Sequence, residues 1–265
     1  MNIKYSPANL ADFQRDPFSA RGTTRDVYRM GQGPAVVVLS EMPGITPLVA
    51  EFARRVAAQG LRVVMPHLFG NDGAAPTMAE NLKTAAQVCI SREFTLFASG
   101  RSSPVTAWLR DLANFEHERN GGPGVGIVGM CLTGGFALAM MVDPVVVAPV
   151  LSQPSLPASP FAKSDLGVSP RDLESIKRRT AEGVCVLAYR FSGDKKAPAE
   201  RFERLRQELG DAFIGVEIDS SPSNPWGYPT NAHSVLTEHL GDRDGSPTRL
   251  ALEQVMQFFV ERLKA

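Results

Sequence analysis

Short apolar runs without strict polar alternation recur along the chain, separated by longer stretches of helical periodicity, and this order leaves few folds open. The runs are Ala35–Ser40, Arg62–Pro66, Gly124–Met130, Val145–Leu151, Val184–Arg190 and Phe213–Ile218. Strands that are apolar on both sides must be covered on both faces, which is the condition of parallel strands between helical layers. Helices are expected at Pro47–Ala58, Met78–Cys89, Pro104–Arg119, Leu132–Met141, Pro170–Arg179, Pro198–Leu209 and Pro247–Leu263. Pro170 and Pro247 suit helix starts, and Gly60 and Gly210 suit helix ends. The fold class is therefore α/β, a doubly wound, mostly parallel sheet with helices on both faces. One domain over 1–265 is expected, with 1–30 an N-terminal extension that adds an antiparallel edge strand near Thr23–Met30.

Composition narrows the function. Lys plus Arg and Asp plus Glu each total 28, for a net charge of zero. No basic stripe argues for nucleic acid and no polybasic cluster for a membrane surface, so the expected partner is a small molecule. The most apolar stretch, Val125–Leu151, is cut by Gly134, Gly135 and Asp143-Pro144 and reads as strand, helix and strand, not as a membrane span. With no export signal and three cysteines at 89, 131 and 185, reduced thiols in the cytoplasm are expected. No metal-ligand spacing and no dinucleotide-binding glycine pattern occurs, so no cofactor is expected. A homo-oligomer stays open.

The chemistry concentrates in GVGIVGMCLTGGFALAM, residues 124–140. An apolar strand runs into Gly129-Met130-Cys131 and a small-residue helix follows at once. A nucleophile elbow has this build, because its tight turn needs small neighbours and throws one side chain out of the sheet edge. The helix N-terminus there favours a thiolate and a developing oxyanion. The same residues also suit a cysteine packed as a small core hydrophobe.

Acyl transfer needs a base beside the nucleophile and an acid to orient the base. Asp194, in Ser192-Gly193-Asp194, follows one predicted strand. His233, in the loop Ser220–Ser234, follows the next. The order Cys, Asp, His is that of α/β-hydrolases. Of the four histidines, His117 lies at a charged helix end, His239 reads as surface, and His67 is the second candidate base or a pocket-lining group. Asp219 rivals Asp194. After the first core strand, in Ser40-Glu41-Met42-Pro43-Gly44, Met42 can offer a backbone N–H to an oxyanion, since Pro43 has none. Glu41 needs a partner at a buried strand end, either an arginine or the proton of the thiol.

These residues resemble the dienelactone hydrolase family from about Gly33 to the C-terminus. The resemblance rests on Glu41, on Gly129-Met130-Cys131-Leu132-Thr133-Gly134-Gly135, on Gly193-Asp194 and on His233-Ser234. It implies an α/β-hydrolase fold and a Cys131–His233–Asp194 triad cleaving a small ester or lactone. It further implies that Glu41 holds the resting thiol and that the N–H groups of Met42 and Leu132 bind the oxyanion. Thr133 stands where the family's elbow has glycine. Arg92 and Arg101 are candidates to grip a substrate carboxylate. Phe94, Phe97, Trp226 and Tyr228 could line the pocket. A non-catalytic binding or redox-sensing protein on the same fold is the alternative.

Overall fold

The computed structural model describes residues 7–90, 103–156, 163–241 and 243–264. Its strands are β1 (Gln14–Ala20), β2 (Thr23–Met30), β3 (Ala35–Leu39), β4 (Arg62–Pro66), β5 (Val125–Met130), β6 (Val146–Ser152), β7 (Val186–Phe191) and β8 (Phe213–Ile218). They form one sheet in the order β1-β2-β4-β3-β5-β6-β7-β8. β1, β2 and β4 pair antiparallel, and every pair from β4 to β8 is parallel.

The helices are α1 (Pro47–Ala58), α2 (Met78–Ile90), α3 (Pro104–Asn120), α4 (Gly134–Met140), α5 (Pro170–Ala181), α6 (Ala199–Leu209) and α7 (Pro247–Leu263). Successive residues of a strand face opposite sides, and the central strands are apolar on both. Val37, Leu39 and Ile127 pack with Trp108, Phe136, Ile176 and Phe202, from α3 to α6. Val36, Val38 and Val128 pack with Phe52 of α1 and with Val255 and Phe259 of α7. This two-sided burial is why the runs lack polar alternation. Thr46 and Ser169 cap α1 and α5 through their hydroxyls, with Pro47 and Pro170 opening the two helices.

The described residues thus hold the α/β-hydrolase architecture with boundaries shifted by one or two residues. Two differences have physical causes. The expected helix at Leu132 starts instead as a single 3₁₀ turn, Cys131–Thr133, before α4, because Cys131 at φ +57° interrupts right-handed winding. The extension carries a strand that periodicity does not announce, β1, with Pro17 inside it. An outermost strand has one side with no ladder to complete, so proline is tolerated there. Phe18 anchors β1 on Trp108 and Phe115, at 5.4 and 5.0 Å between ring centroids. A buried Arg29–Glu116 ion pair at 2.7 Å ties β2 to α3.

The chain leaves β3 for β4 on one side and then crosses to β5 on the other. The carboxyl ends of β3 and β5 therefore flank the point where the winding reverses, which is where open sheets of this kind bind ligands. Register levels these ends: Leu39 lies opposite Gly129, and Met130 opposite Ser152. No described helix is long and apolar enough to cross a membrane.

Candidate active site

β5 delivers Cys131 to that edge. Its φ of +57° is a left-handed conformation that side-chain-bearing residues rarely adopt, and it turns the side chain away from the strand direction. The bend needs room behind it: a Cβ on Gly129 would sit 2.1 Å from the Thr133 carbonyl oxygen, and one on Gly134 would sit 2.8 Å from Pro154. Thr133 is fully buried, and its hydroxyl uses the space that a glycine would leave. Its Oγ1 accepts the Met130 N–H at 2.8 Å and lies within donating distance of the Met130, Leu39 and Ser40 carbonyls, at 2.8, 3.1 and 3.3 Å. One hydroxyl so joins the elbow to the end of β3.

The loops after β7 and β8 bring Asp194 and His233 to the same edge. Asp194 Oδ2 accepts a 2.6 Å hydrogen bond from His233 Nδ1, and Asp194 Oδ1 accepts the Lys196 N–H at 2.9 Å. Gly193 allows the two loops to close on one another, since a Cβ there would meet the Thr230 carbonyl at 2.1 Å. Ser220 Oγ accepts the Gly193 N–H and Ser192 Oγ accepts the Ser220 N–H, at 3.0 and 2.9 Å. Asp219, the rival acid, is exposed and caps its own turn through the Ser221 N–H.

His233 Nε2 is buried without a fully formed hydrogen bond and lies within electrostatic reach of the Cys131 sulfur. Burial pushes the Cys131 thiol up, but the His233 charge and hydrogen bonding from His233 and Ser155 outweigh it. The thiol lies below its ordinary range, although the Glu41 charge works the other way. Burial pulls His233 down, and attraction to the Cys131 sulfur together with the Asp194 bond drives it up to about 10. Burial likewise disfavours ionised Asp194, yet its bond to His233 leaves it lowered. Such neighbours titrate as one unit.

Glu41 is buried close by, but its partners are neither an arginine nor the thiol. Oε2 accepts from Gln153 Nε2 at 3.0 Å and from Ser234 Oγ at 2.6 Å, and Oε1 accepts from Thr237 Oγ1. Three neutral donors engage the carboxylate, while Cys131 Sγ has Ser155 Oγ 3.1 Å away.

Gln153 and Ser155 lie in the Ser- and Pro-rich segment Ser152–Ser169, which its place after a strand marks as a candidate pocket wall, but the sequence does not single out either residue. Gln153 Oε1 also accepts the Val235 N–H at 3.2 Å, which fixes the His233 loop. His239, expected at the surface, is half-buried behind His233. Its Nδ1 accepts the backbone N–H groups of His233 and Ser234 at 3.4 and 3.3 Å. Tyr228 is core, its ring tilted against Phe191 at 5.1 Å between centroids and its hydroxyl within 2.9 Å of Thr248 Oγ1. Trp226 lies under Arg243. Arg92, Arg101, Phe94 and Phe97 fall outside the described residues.

His67 belongs to a separate cluster. Its Nδ1 is 2.6 Å from Asp72 Oδ1, its Nε2 is 3.2 Å from the Gly70 carbonyl, and Tyr28 donates to Asp72 Oδ2 at 2.6 Å. Contact with the Asp72 carboxylate raises His67 above its usual value despite partial burial. A raised histidine stabilises the fold fully below its unfolded value and loses that contribution as pH climbs through the folded one. His67→Ala should therefore cost about 1–2 kcal/mol near pH 6. The difference should shrink as pH rises above the ordinary histidine range in urea unfolding. A pH-independent difference would refute this charge assignment.

Among curated proteins none is matched. Many solved structures share the fold at low identity. A dienelactone hydrolase from Anabaena variabilis is 15% identical with TM-score 0.60, covering 95% of this chain and 99% of that one. A dienelactone hydrolase-like promiscuous phosphotriesterase from metagenomic libraries is 17% identical with TM-score 0.63, covering 95% and 98%. A cold-adapted esterase from an Arctic intertidal metagenomic library is 12% identical with TM-score 0.57, covering 97% of each. The sequence itself matches the dienelactone hydrolase family over residues 22–263. Sheet order, the strained turn after β5 and this match over nearly the whole chain agree: the protein belongs to the dienelactone hydrolase family and is an ester- or lactone-cleaving hydrolase of the α/β-hydrolase fold.

Proposed function

We propose that the enzyme cleaves a small-molecule ester or lactone through a covalent thioester on Cys131. The observation that carries this reading is the 2.6 Å Asp194–His233 bond, which leaves a buried, otherwise unpartnered Nε2 near a cysteine held at φ +57°. The Cys131 thiolate attacks the carbonyl carbon, and the carbonyl oxygen takes the negative charge. The N–H of Leu132, in the first positions of the turn where no intrahelical acceptor exists, and the N–H of Met42 at the end of β3 receive that charge. Collapse breaks the C–O bond, and the His233 imidazolium passes its proton to the departing alkoxide. Neutral His233 then takes a proton from water, which attacks the thioester. Acid product leaves and the thiolate–imidazolium pair is restored. Asp194 keeps Nδ1–H occupied, so Nε2 is the nitrogen that exchanges protons.

Cys131 and Cys185 are both free thiols, which suits a reducing, cytoplasmic setting. Rapid acid quench during turnover of an activated aryl ester, followed by peptide mass spectrometry, tests the covalent step. The expected adduct is an acyl group on the peptide containing Cys131. Turnover at full rate after stoichiometric alkylation of Cys131 would refute the proposal.

A further inference from the structure

The sulfur at the elbow has a hydroxyl for a neighbour, and that neighbour is held in place from several sides. Ser155 Oγ lies 3.1 Å from Cys131 Sγ, and the Ser155 N–H donates to the Cys131 carbonyl at 2.9 Å. Ser155 is itself buried. The loop that carries it is fixed by the Gln153 N–H on the Tyr189 carbonyl at 2.7 Å. It is also fixed by the buried Arg201 guanidinium on the Pro154 carbonyl at 2.8 Å. The hydroxyl is thus presented to the sulfur before any substrate binds. Against a thiolate it can act in one direction only, as donor.

Glu41 is engaged otherwise. Its two oxygens already accept from Gln153, Ser234 and Thr237. Its charge also opposes charge on the sulfur. What its three bonds do accomplish is to tether the segment bearing His233 to the end of β3.

We propose that Ser155, and not Glu41, holds the resting nucleophile, donating its hydroxyl to a Cys131 thiolate whose proton has already moved to His233 Nε2. In that resting step the S–H bond breaks and the Nε2–H bond forms within the site, with no change in its net charge. Ser155 keeps its proton throughout. The groups facing the sulfur are His233 from the loop after β8, Ser155 from the loop after β6 and Glu41 from the loop after β3, with Asp194 behind His233. The inference rests on Cys131 being the nucleophile, and its test is read separately from turnover.

The test is the ultraviolet thiolate absorbance of the whole protein as a function of pH, with Cys131→Ala as the blank for Cys89 and Cys185. Wild type should give a midpoint below the ordinary cysteine range. Ser155→Ala should raise that midpoint by about one pH unit, roughly tenfold in the thiolate-to-thiol ratio. The pH dependence of alkylation by iodoacetamide should move with it. Glu41→Gln should leave the midpoint in place or lower it. A Ser155→Ala midpoint equal to wild type, or a Glu41→Gln midpoint that rises, would overturn the proposal. If Cys131→Ala loses turnover while Ser155→Ala titrates as wild type, only the Ser155 role fails. If Cys131→Ala keeps full turnover, the nucleophile assignment fails first.

Discussion

Cys131→Ala should lower ester turnover by about 10⁵-fold, the scale at which removing a covalent nucleophile leaves only binding and oxyanion stabilisation. The loss is expected in kcat, with substrate affinity retained, because the pocket and the N–H groups of Met42 and Leu132 stay in place. Folding should hardly change. The side chain is 7% exposed, and the substitution removes one sulfur atom whose neighbours are Ser155 and His233. Urea unfolding should shift by no more than about 1 kcal/mol. The backbone strain at φ +57° persists with alanine, so Cys131→Gly should be equally inactive yet more stable by about 1 kcal/mol. Cys131→Ser separates the chemistry from the packing: a hydroxyl has no accessible anion near neutral pH, so the imidazolium loses its partner and the rate should stay far below wild type. Turnover by Cys131→Ala within tenfold of wild type would eliminate a thioester route.

The second large effect is structural. Gly129→Ala should prevent the protein from reaching a stable native state. An added methyl would lie 2.1 Å from the Thr133 carbonyl oxygen, 2.6 Å from its carbonyl carbon and 2.8 Å from Gly134 Cα, all of them backbone. No rotamer change relieves such a contact, so the turn and α4 would have to move off the sheet. Costs of more than about 4 kcal/mol come from mechanisms of this kind and consume much of a typical domain's stability of about 5–15 kcal/mol. Insoluble expression, or a urea midpoint far below wild type, is the expected result. Gly183→Ala is the control, because nothing lies within 4 Å of its added methyl and only its φ of +97° is strained. A Gly129→Ala protein with a wild-type midpoint would mean that the turn is looser than its contacts imply.

Much of this architecture is written in local pattern. β4 matches its apolar run end for end, because a strand covered on both faces must be apolar at successive positions; β8 matches too, although as an edge strand it leaves Ile214 and Glu217 exposed. Cys131, His233, Asp194 and Glu41 could be singled out because each follows a strand that the pattern reveals, and parallel strands end at one edge. What local pattern could not supply was contact between loops. Ser155 reaches Cys131 because Met130 pairs with Ser152, a register no single segment encodes. His239 reads as a surface residue until the turn at Ser234 folds its ring back under two backbone N–H groups. The hydrogen-bond partners of Glu41 come from loops after β6 and β8, more than a hundred residues away in sequence. Charge and polarity announce that a buried group needs a partner; only packing decides which. β1 was hidden for a different reason, since Pro17 is a breaker everywhere except at a border.

The Thr133 hydroxyl fastens β3 to the bend after β5, so the two arms that would cradle a carbonyl oxygen are set at a fixed separation while the chain folds. Little rearrangement is then left for the moment of encounter.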